Sequence, residues 1–138
     1  MIKNIYLKYK EIINYFIFGI LSTIISLITY YILILTILNT QNPIELQIAN
    51  IISWFFAATF AYVTNKKYVF NSKEKNIAKE ITKFYSSRLT TLLIDMFLMF
   101  IFVTILKLND KIMKLIVNII VIISNYILSK LIVFKKEN

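Results

Sequence analysis

The sequence predicts an all-α polytopic membrane protein with four transmembrane helices, for three reasons. The chain has 138 residues and is 59% hydrophobic, which is more apolar side chain than a soluble domain of this size can bury. Four apolar runs are long enough to cross a hydrocarbon core, which takes about 20 residues per helix. The chain is too short for a transmembrane barrel, so helices must satisfy its backbone in lipid.

The four predicted helices form a single transmembrane domain over residues 1–138. They lie at about 12–38, 44–64, 84–106 and 112–134, and a polar loop at 65–83 separates the second helix from the third. The first run is too long for the apolar part of a secretory signal and has no small-residue cleavage site. We therefore expect the first helix to be retained in the mature protein.

The distribution of positive charge predicts the orientation of these helices. Thirteen of the 16 basic residues fall in the N-terminal arm, in the stretch 66–88 or near the C-terminus. The remaining three, Lys107, Lys111 and Lys114, lie around the link between the third and fourth helices. Because cytoplasmic segments are enriched in Lys and Arg, both termini and the loop at 65–83 are predicted to be cytoplasmic.

The chemistry of the composition narrows the function. The chain has no Cys and no His, so disulfides, thiolate metal sites and histidine proton shuttles are excluded. It shows no nucleophile–base pair and no glycine-rich phosphate loop. We therefore expect no enzymatic activity, no cofactor, no metal and no nucleic-acid partner.

An internal repeat is suggested by the ends of the second and fourth helices. The stretches "FAYVTNKKYVF" (60–70) and "SNYILSKLIVF" (124–134) both read Tyr-x-x-x-Lys-x-x-Val-Phe. "KEIINYF" (10–16) and "KEITKFY" (79–85) match more weakly at the openings of the first and third helices. The chain is thus predicted to be two tandem two-helix repeats, in parallel orientation because each repeat has an even number of spans.

The repeated Lys66 and Lys130 have two interpretations. Each shares a predicted helix face with a Tyr four residues before it and a Phe four residues after it. An aromatic and lysine belt at the membrane interface accounts for such a face. The alternative, which explains why the spacing is copied, is that the two lysines flank one anionic lipid headgroup.

Two charged residues are candidates for a site within the helices. Arg88, predicted at the cytoplasmic start of the third helix, can hold a phosphate through two hydrogen bonds. Asp95 is the only acidic residue deep in a predicted span, and such residues are functional candidates because they are costly in lipid. Asp95 is predicted either to be functional, by exchanging protons or cations or by binding hydroxyl groups, or to be an acid packed beside Asn118 or a serine of the first helix.

Uncharged polar side chains supply further candidates along the spans. Each also has a purely structural interpretation, since Ser, Thr and Asn form hydrogen bonds that hold membrane helices together. They are Ser22, Thr23 and Ser26 in the first helix, Gln47, Asn50 and Ser53 in the second, and Asn118 and Asn125 in the fourth.

Three segments resemble the GtrA-like family of small four-helix bacterial membrane proteins. They are "YFIFGILST" (15–23), "ANIISWFFAATFAYVTNKKYVF" (49–70) and "NYILSKLIVF" (125–134). The family pattern falls on Phe18 and Gly19, on Asn65, Lys66, Tyr68 and Phe70, and on Ser129, Lys130 and Phe134. The chain departs from it at Ser22, where many members have Asn.

The resemblance implies translocation of polyprenyl-phosphate-linked sugars to the outer leaflet of the bacterial cytoplasmic membrane, for envelope polysaccharide or teichoic-acid glycosylation. It also implies a membrane-associated glycosyltransferase as partner. The substrate would then contact Gly19, Ser22, Asn65, Lys66, Arg88, Asp95, Asn125 and Lys130. Since four helices are few for a complete lipid pathway, we expect a homodimer or larger oligomer. The alternatives are a scaffold that recruits a glycosyltransferase without transport, and a small multidrug or cation exporter.

Overall fold

The computed structural model describes residues 1–136 and is all-helical over that range. Its four long helices are α1 (Ile2–Thr36), α2 (Pro43–Thr64), α3 (Ile77–Met99) and α4 (Asp110–Leu128). With the π-helical turns that extend three of them, all four are long and apolar enough to cross a membrane. The predicted fold class, a polytopic α-helical membrane protein with four spans, is therefore confirmed.

The chain divides into two compact units, Met1–Asn71 and Ser72–Asn138. In the first unit α1 packs on α2, and in the second α3 packs on α4. A short connection joins the two helices of each unit, so each pair is an antiparallel hairpin. These units coincide with the two halves predicted from the sequence match, although the tandem repeat and its parallel orientation remain predictions.

An asparagine caps the start of α2, α3 and α4. The Asn42 side chain accepts a hydrogen bond from the Ile44 N–H, Asn76 accepts from Lys79, and Asn109 accepts from Lys111 and Ile112. Each first turn also carries an acidic residue, which favours the positive end of the helix dipole. The caps satisfy N–H groups that have no partner within the helix.

Three helices end in a π-helical turn, at Asn65–Val69, Phe100–Ile105 and Ser129–Val133. In the first, the Phe70 N–H donates to the Asn65 carbonyl at 2.9 Å, and in the third Phe134 donates to Ser129 at 2.8 Å. The first ends at Asn71, whose positive φ of 49° marks a left-handed residue, a conformation that Asn tolerates.

The π-helical turns change which side chains are buried. In an α-helix, two residues five positions apart differ by about 140° around the axis, so Asn65 and Phe70 would face opposite ways. The wider turn brings both inside, at 2% and 4% exposure. Ser129 and Phe134 are buried in the same manner. Two aromatic pairs result: Phe70 lies 6.4 Å from Tyr15 between ring centroids, and Phe134 lies 6.2 Å from Phe84.

The helix bounds differ from the predicted ones at the polar ends. α1 begins at Ile2 rather than near residue 12, and α3 begins at Ile77 rather than near residue 84. Much of the predicted loop at 65–83 is therefore helical. The lysines of these turns lower their hydropathy, so the apolar runs are shorter than the helices. The Asn76 cap starts α3 ahead of its apolar run, and the π-helical turn Asn65–Val69 extends α2 beyond its own.

The aromatic pair of the second unit makes a testable contribution to stability. We expect Phe134→Ala to destabilise the protein by at least the roughly 0.5–1.5 kcal/mol that an aromatic pair contributes. Leu131→Ala is the matched control, because Leu131 lies on the same turn and is 61% exposed. Unfolding by SDS in mixed micelles, followed by circular dichroism, measures both. Equal losses for the two variants would contradict the packing role of Phe134.

Candidate functional site

A line of polar side chains runs along the face of α3 that packs on α4. It consists of Arg88, Thr91 and Asp95, which are spaced three and four residues apart and so share one helix face. Phe84 begins the same line one turn earlier. Arg88 and Asp95 are about 10 Å apart along the helix axis, and the two side chains do not pair with each other. We call this line of α3, from Phe84 to Asp95, together with the side chains of α4 that contact it, the charged seam of the second unit.

Arg88 lies three turns into α3, because the helix begins at Ile77 rather than near residue 84. Its guanidinium carbon is 4.9 Å from the centre of the Phe84 ring, a cation–π geometry. The side chain is half-buried. Within residues 1–136, no carboxylate or hydrogen-bond acceptor pairs with it. Arg88 therefore keeps five N–H donors for a planar anion such as phosphate.

Thr91 links α3 to α4 one turn beyond Arg88. Its hydroxyl donates to the Asn125 side-chain oxygen at 2.8 Å and also lies 3.0 Å from the Arg88 carbonyl. Thr91 is 2% exposed and Asn125 is half-buried. Since the Asn125 oxygen accepts this bond, its NH₂ group remains as a donor. Arg88 and Asn125, both predicted as site residues, are thus linked through Thr91, which contacts the Arg88 backbone rather than its guanidinium. We call Arg88, Thr91 and Asn125 the Arg88 cluster.

Asp95 forms an ion pair with Lys114 of α4. Both carboxylate oxygens lie 2.8 Å from the lysine Nζ. The Asp95 side chain is 19% exposed and that of Lys114 is 47% exposed. The structure gives Asp95 a partner, Lys114, that neither interpretation from the sequence included. The pair neutralises two charges that would each be costly in lipid.

The first unit has no equivalent of the charged seam. When the two halves are aligned by their sequence match, Gly19 aligns with Arg88, Ser22 with Thr91 and Ala61 with Asn125. The Ser22 and Thr23 hydroxyls both donate to the Gly19 carbonyl at 3.1 Å, within their own helix. A methyl group on Gly19 would meet nothing within 4 Å. Gly19 and Ser22 therefore form no polar cluster within this unit.

Aromatic packing explains most of the family-like motif in the first unit. Phe18 and Tyr68 stack at 5.4 Å with ring planes 20° apart, and Tyr15 packs on Phe70. The Asn14 amide also donates to the Tyr68 carbonyl at 3.3 Å. These contacts hold α1 against the π-helical turn, and Asn65 is buried at its start. Four of the motif positions, Phe18, Asn65, Tyr68 and Phe70, thus have packing roles.

The two repeated lysines differ in their surroundings. Lys66 is half-buried and Lys130 is exposed. Lys130 Nζ lies 3.4 Å from the Tyr126 hydroxyl and 5.6 Å from the ring centre. The single face predicted for Tyr126, Lys130 and Phe134 is interrupted, because the π-helical turn buries Phe134 while Lys130 stays outside. The interface-belt and headgroup interpretations of the two lysines both stay predictions.

Sequence reasoning missed three contributors to the charged seam: Phe84, Thr91 and Lys114. Lys114 falls within the predicted fourth helix, where the Asn109 cap followed by an acidic residue also places it, but the charge distribution used it only as a marker of orientation. Thr91 is three residues from Arg88 on the same face. The spacing from residue 84 to 95 could therefore have found the line, but the partners on α4 required the tertiary structure.

The Asp95–Lys114 pair predicts a specific pattern of stability. Asp95→Asn and Lys114→Gln each leave one charge unpaired, so each should destabilise the protein. The double variant removes both charges and should lose less than the sum, with a coupling of about 0.5–3 kcal/mol. SDS unfolding in mixed micelles measures all three. Lys111→Gln, which removes an exposed charge from the same helix, is the control, and strictly additive losses would refute the pairing.

Comparison with known proteins gives a consistent relationship over nearly the whole chain. The GtrA/DPMS transmembrane domain matches residues 14–134. Cell wall teichoic acid glycosylation protein GtcA of Listeria monocytogenes is 38% identical over 128 residues, which covers 91% of this chain and 85% of that protein. GtcA of Listeria innocua is 38% identical over 130 residues, covering 91% and 85%.

A further relative is YwcD of Bacillus subtilis, described as an uncharacterized membrane protein. It is 36% identical over 125 residues, which covers 88% of this chain and 94% of that protein. No solved structure matches the chain significantly. The match to the transmembrane domain and the identity to these relatives together show that the chain belongs to the GtrA/DPMS family.

Proposed function

We propose that this protein moves polyprenyl-phosphate-linked sugars from the cytoplasmic to the outer leaflet of the bacterial cell membrane. The sugar then serves glycosylation of an envelope polymer, and the names of the GtcA relatives suggest teichoic acid as that polymer. A membrane-associated glycosyltransferase loads the lipid on the cytoplasmic side, where both termini lie. The functional form is a homodimer or larger oligomer.

The observation that carries this proposal is the Arg88 cluster. An anion crossing hydrocarbon loses its hydration, which costs many kcal/mol unless charge and hydrogen-bond donors replace the water. Arg88 offers a half-buried cation without a carboxylate partner in the described part of the chain. Asn125, which is bonded to Thr91 one turn beyond Arg88, adds amide donors at the same interface between α3 and α4. This combination of donors suits a phosphate group.

The remaining parts of the substrate need different surroundings. The polyprenyl tail can stay in lipid, because the outward faces of α3 and α4 carry exposed apolar residues such as Leu93, Phe97 and Ile119. The sugar needs hydroxyl and amide partners along the way. Asn118 lies one turn from Lys114 on α4 and is exposed, so it is a candidate for that contact.

The Asp95–Lys114 pair argues against a cation exporter. Such an exporter would use a membrane acid whose charge is balanced by the transported cation. The Asp95 charge is already balanced by Lys114 at 2.8 Å. The cation of the seam that lacks an acidic partner is Arg88, which favours an anionic substrate.

Arg88 substitutions test the phosphate site directly. Purified protein is reconstituted in proteoliposomes with a fluorescent polyprenyl-phosphate sugar, and its movement is followed by reduction of the outer-leaflet label. Hydrogen bonds to charged groups contribute about 1.5–3 kcal/mol each, so Arg88→Gln should slow movement by about 10- to 100-fold. Arg88→Lys, which keeps the charge but loses the planar fork, should be intermediate.

The control for Arg88 is Lys79→Gln, which removes an exposed charge from the first turn of the same helix. It should transport as the wild type does. Failure of the folded, inserted wild-type protein to move the lipid would overturn the transport proposal. The scaffold alternative would then be supported if the same protein still bound its glycosyltransferase.

The repeated lysines give a second test in the same assay. If Lys66 and Lys130 contact the headgroup, Lys66→Ala/Lys130→Ala should collapse transport beyond the product of the two single effects. If they serve only as an interface belt, the variant should insert less stably but move the lipid at a normal rate per folded protein. We expect smaller effects on transport from substitutions at Asn65, Gly19 and Ser22. Asn65 is buried, Gly19 has no neighbour within 4 Å of an added methyl group, and the Ser22 hydroxyl bonds within its own helix.

A further inference from the structure

The first helix is much longer than a membrane crossing requires. α1 runs from Ile2 to Thr36, which is 35 residues and therefore about 52 Å at 1.5 Å per residue. A hydrocarbon core is only about 30 Å thick. The residues from 12 onwards suffice to cross it with some tilt. The first turns of α1 thus lie outside the hydrocarbon.

A break in the helix separates these first turns from the spanning part. Tyr9 has non-helical dihedral angles, φ −111° and ψ 16°, about two turns after the start of α1. The Tyr6 hydroxyl donates to the Asn14 side-chain oxygen at 3.3 Å, across the break. Segment 1–10, defined here as residues 1–10, can therefore run at an angle to the spanning helix and is held at its base. It also precedes residue 14, where the family match begins.

Segment 1–10 is amphipathic. Ile2, Ile5, Tyr6 and Tyr9 are spaced i, i+3, i+4, i+7, so they form one apolar stripe, and all four are exposed. Lys3 and Lys8 flank the stripe on opposite sides, and Lys10 follows the break. Aromatic and aliphatic side chains bordered by lysine are typical of helices that lie in a membrane interface.

The charge of segment 1–10 indicates what it binds. The segment contains three lysines and no acidic residue. None of the three lysines has an ion-pair partner among residues 1–136. An anionic lipid surface attracts such clusters of lysine near a membrane helix, and it also accepts the apolar stripe. A neutral lipid surface would accept the stripe alone.

We propose that segment 1–10 is an interfacial anchor that lies on the membrane surface and binds anionic lipid headgroups. The apolar stripe enters the boundary between headgroups and acyl chains, while Lys3, Lys8 and Lys10 contact lipid phosphates. The Tyr6–Asn14–Tyr68 contacts connect this anchor to the π-helical turn that ends α2. Binding of anionic lipid by segment 1–10 would therefore hold the start of α1 at the membrane surface.

Spin labels on the full chain test the proposal, since the chain has no native cysteine. Ile5→Cys places a nitroxide on the apolar stripe, and Leu7→Cys places one on the opposite side of the same turn. Accessibility to oxygen and to the neutral complex NiEDDA reports depth in vesicles. In phosphatidylglycerol vesicles, position 5 should be immersed and position 7 should be aqueous. Ile2→Cys provides a second position on the stripe.

The role of charge is tested by lipid and by sequence. In phosphatidylcholine vesicles, or with Lys3→Gln/Lys8→Gln/Lys10→Gln in phosphatidylglycerol vesicles, the difference between positions 5 and 7 should disappear. The matched control is Lys73→Gln/Lys75→Gln/Lys79→Gln, which removes the same charge from exposed positions elsewhere and should leave the difference intact. High salt should weaken the immersion, because it screens exposed charges.

Three outcomes would overturn the proposal. Equal accessibility at positions 5 and 7 in phosphatidylglycerol vesicles would show that the segment does not lie on the surface. Equal immersion in phosphatidylcholine would show that the apolar stripe binds without regard to lipid charge. Equal effects of the two triple lysine variants would show a general dependence on protein charge rather than a site in segment 1–10.

Discussion

The absence of water in hydrocarbon is the constraint on which the rest of this structure depends. Every polar group placed there must find its partner within the chain. The backbone therefore forms four long helices, and the starts of α2, α3 and α4 are capped by Asn42, Asn76 and Asn109. Hydroxyl groups follow the same constraint, since Thr36, Thr82 and Thr90 each donate to the carbonyl four residues earlier in their own helix. Such bonds satisfy the side chain without help from another helix.

Polar contacts between helices join two side chains that are distant in the sequence, so they fix how the helices pack. Thr91 donates to Asn125, and Asp95 pairs with Lys114, both between α3 and α4. They stabilise the second unit, yet they also assemble a cation and amide donors along one seam. Two of the π-helical turns contribute differently, because they bury Phe70 against Tyr15 of α1 and Phe134 against Phe84 of α3. Each unit thus has an aromatic pair between its two helices, and the second unit also has the polar contacts of Thr91 and Asp95 with α4.

The contrast between the units bears on how the proposed transport could work. Gly19, Ser22 and Ala61 occupy the positions that match Arg88, Thr91 and Asn125. If the halves arose from one hairpin, one of them acquired or retained the groups of the proposed phosphate site, while the other became a packing element. In the first unit, the stacked rings of Phe18 and Tyr68 provide packing in place of a polar cluster. A substrate that is partly charged and mostly apolar would need both kinds of surface.

The sequence by itself determined the fold class, the number of spans and the matched helix ends, because hydropathy and residue spacing are local properties. It also singled out Arg88, Asp95 and Asn125 as unusual for lipid. It did not reveal that Asp95 belongs to Lys114 or that Thr91 joins Arg88 to Asn125, since the register between α3 and α4 decides those contacts. The π-helical turns also escaped prediction, because the i, i+4, i+8 spacing of tyrosine, lysine and phenylalanine fits an α-helix. Only packing against Tyr15 and Phe84 favours the wider turn that buries both its first residue and the phenylalanine after it.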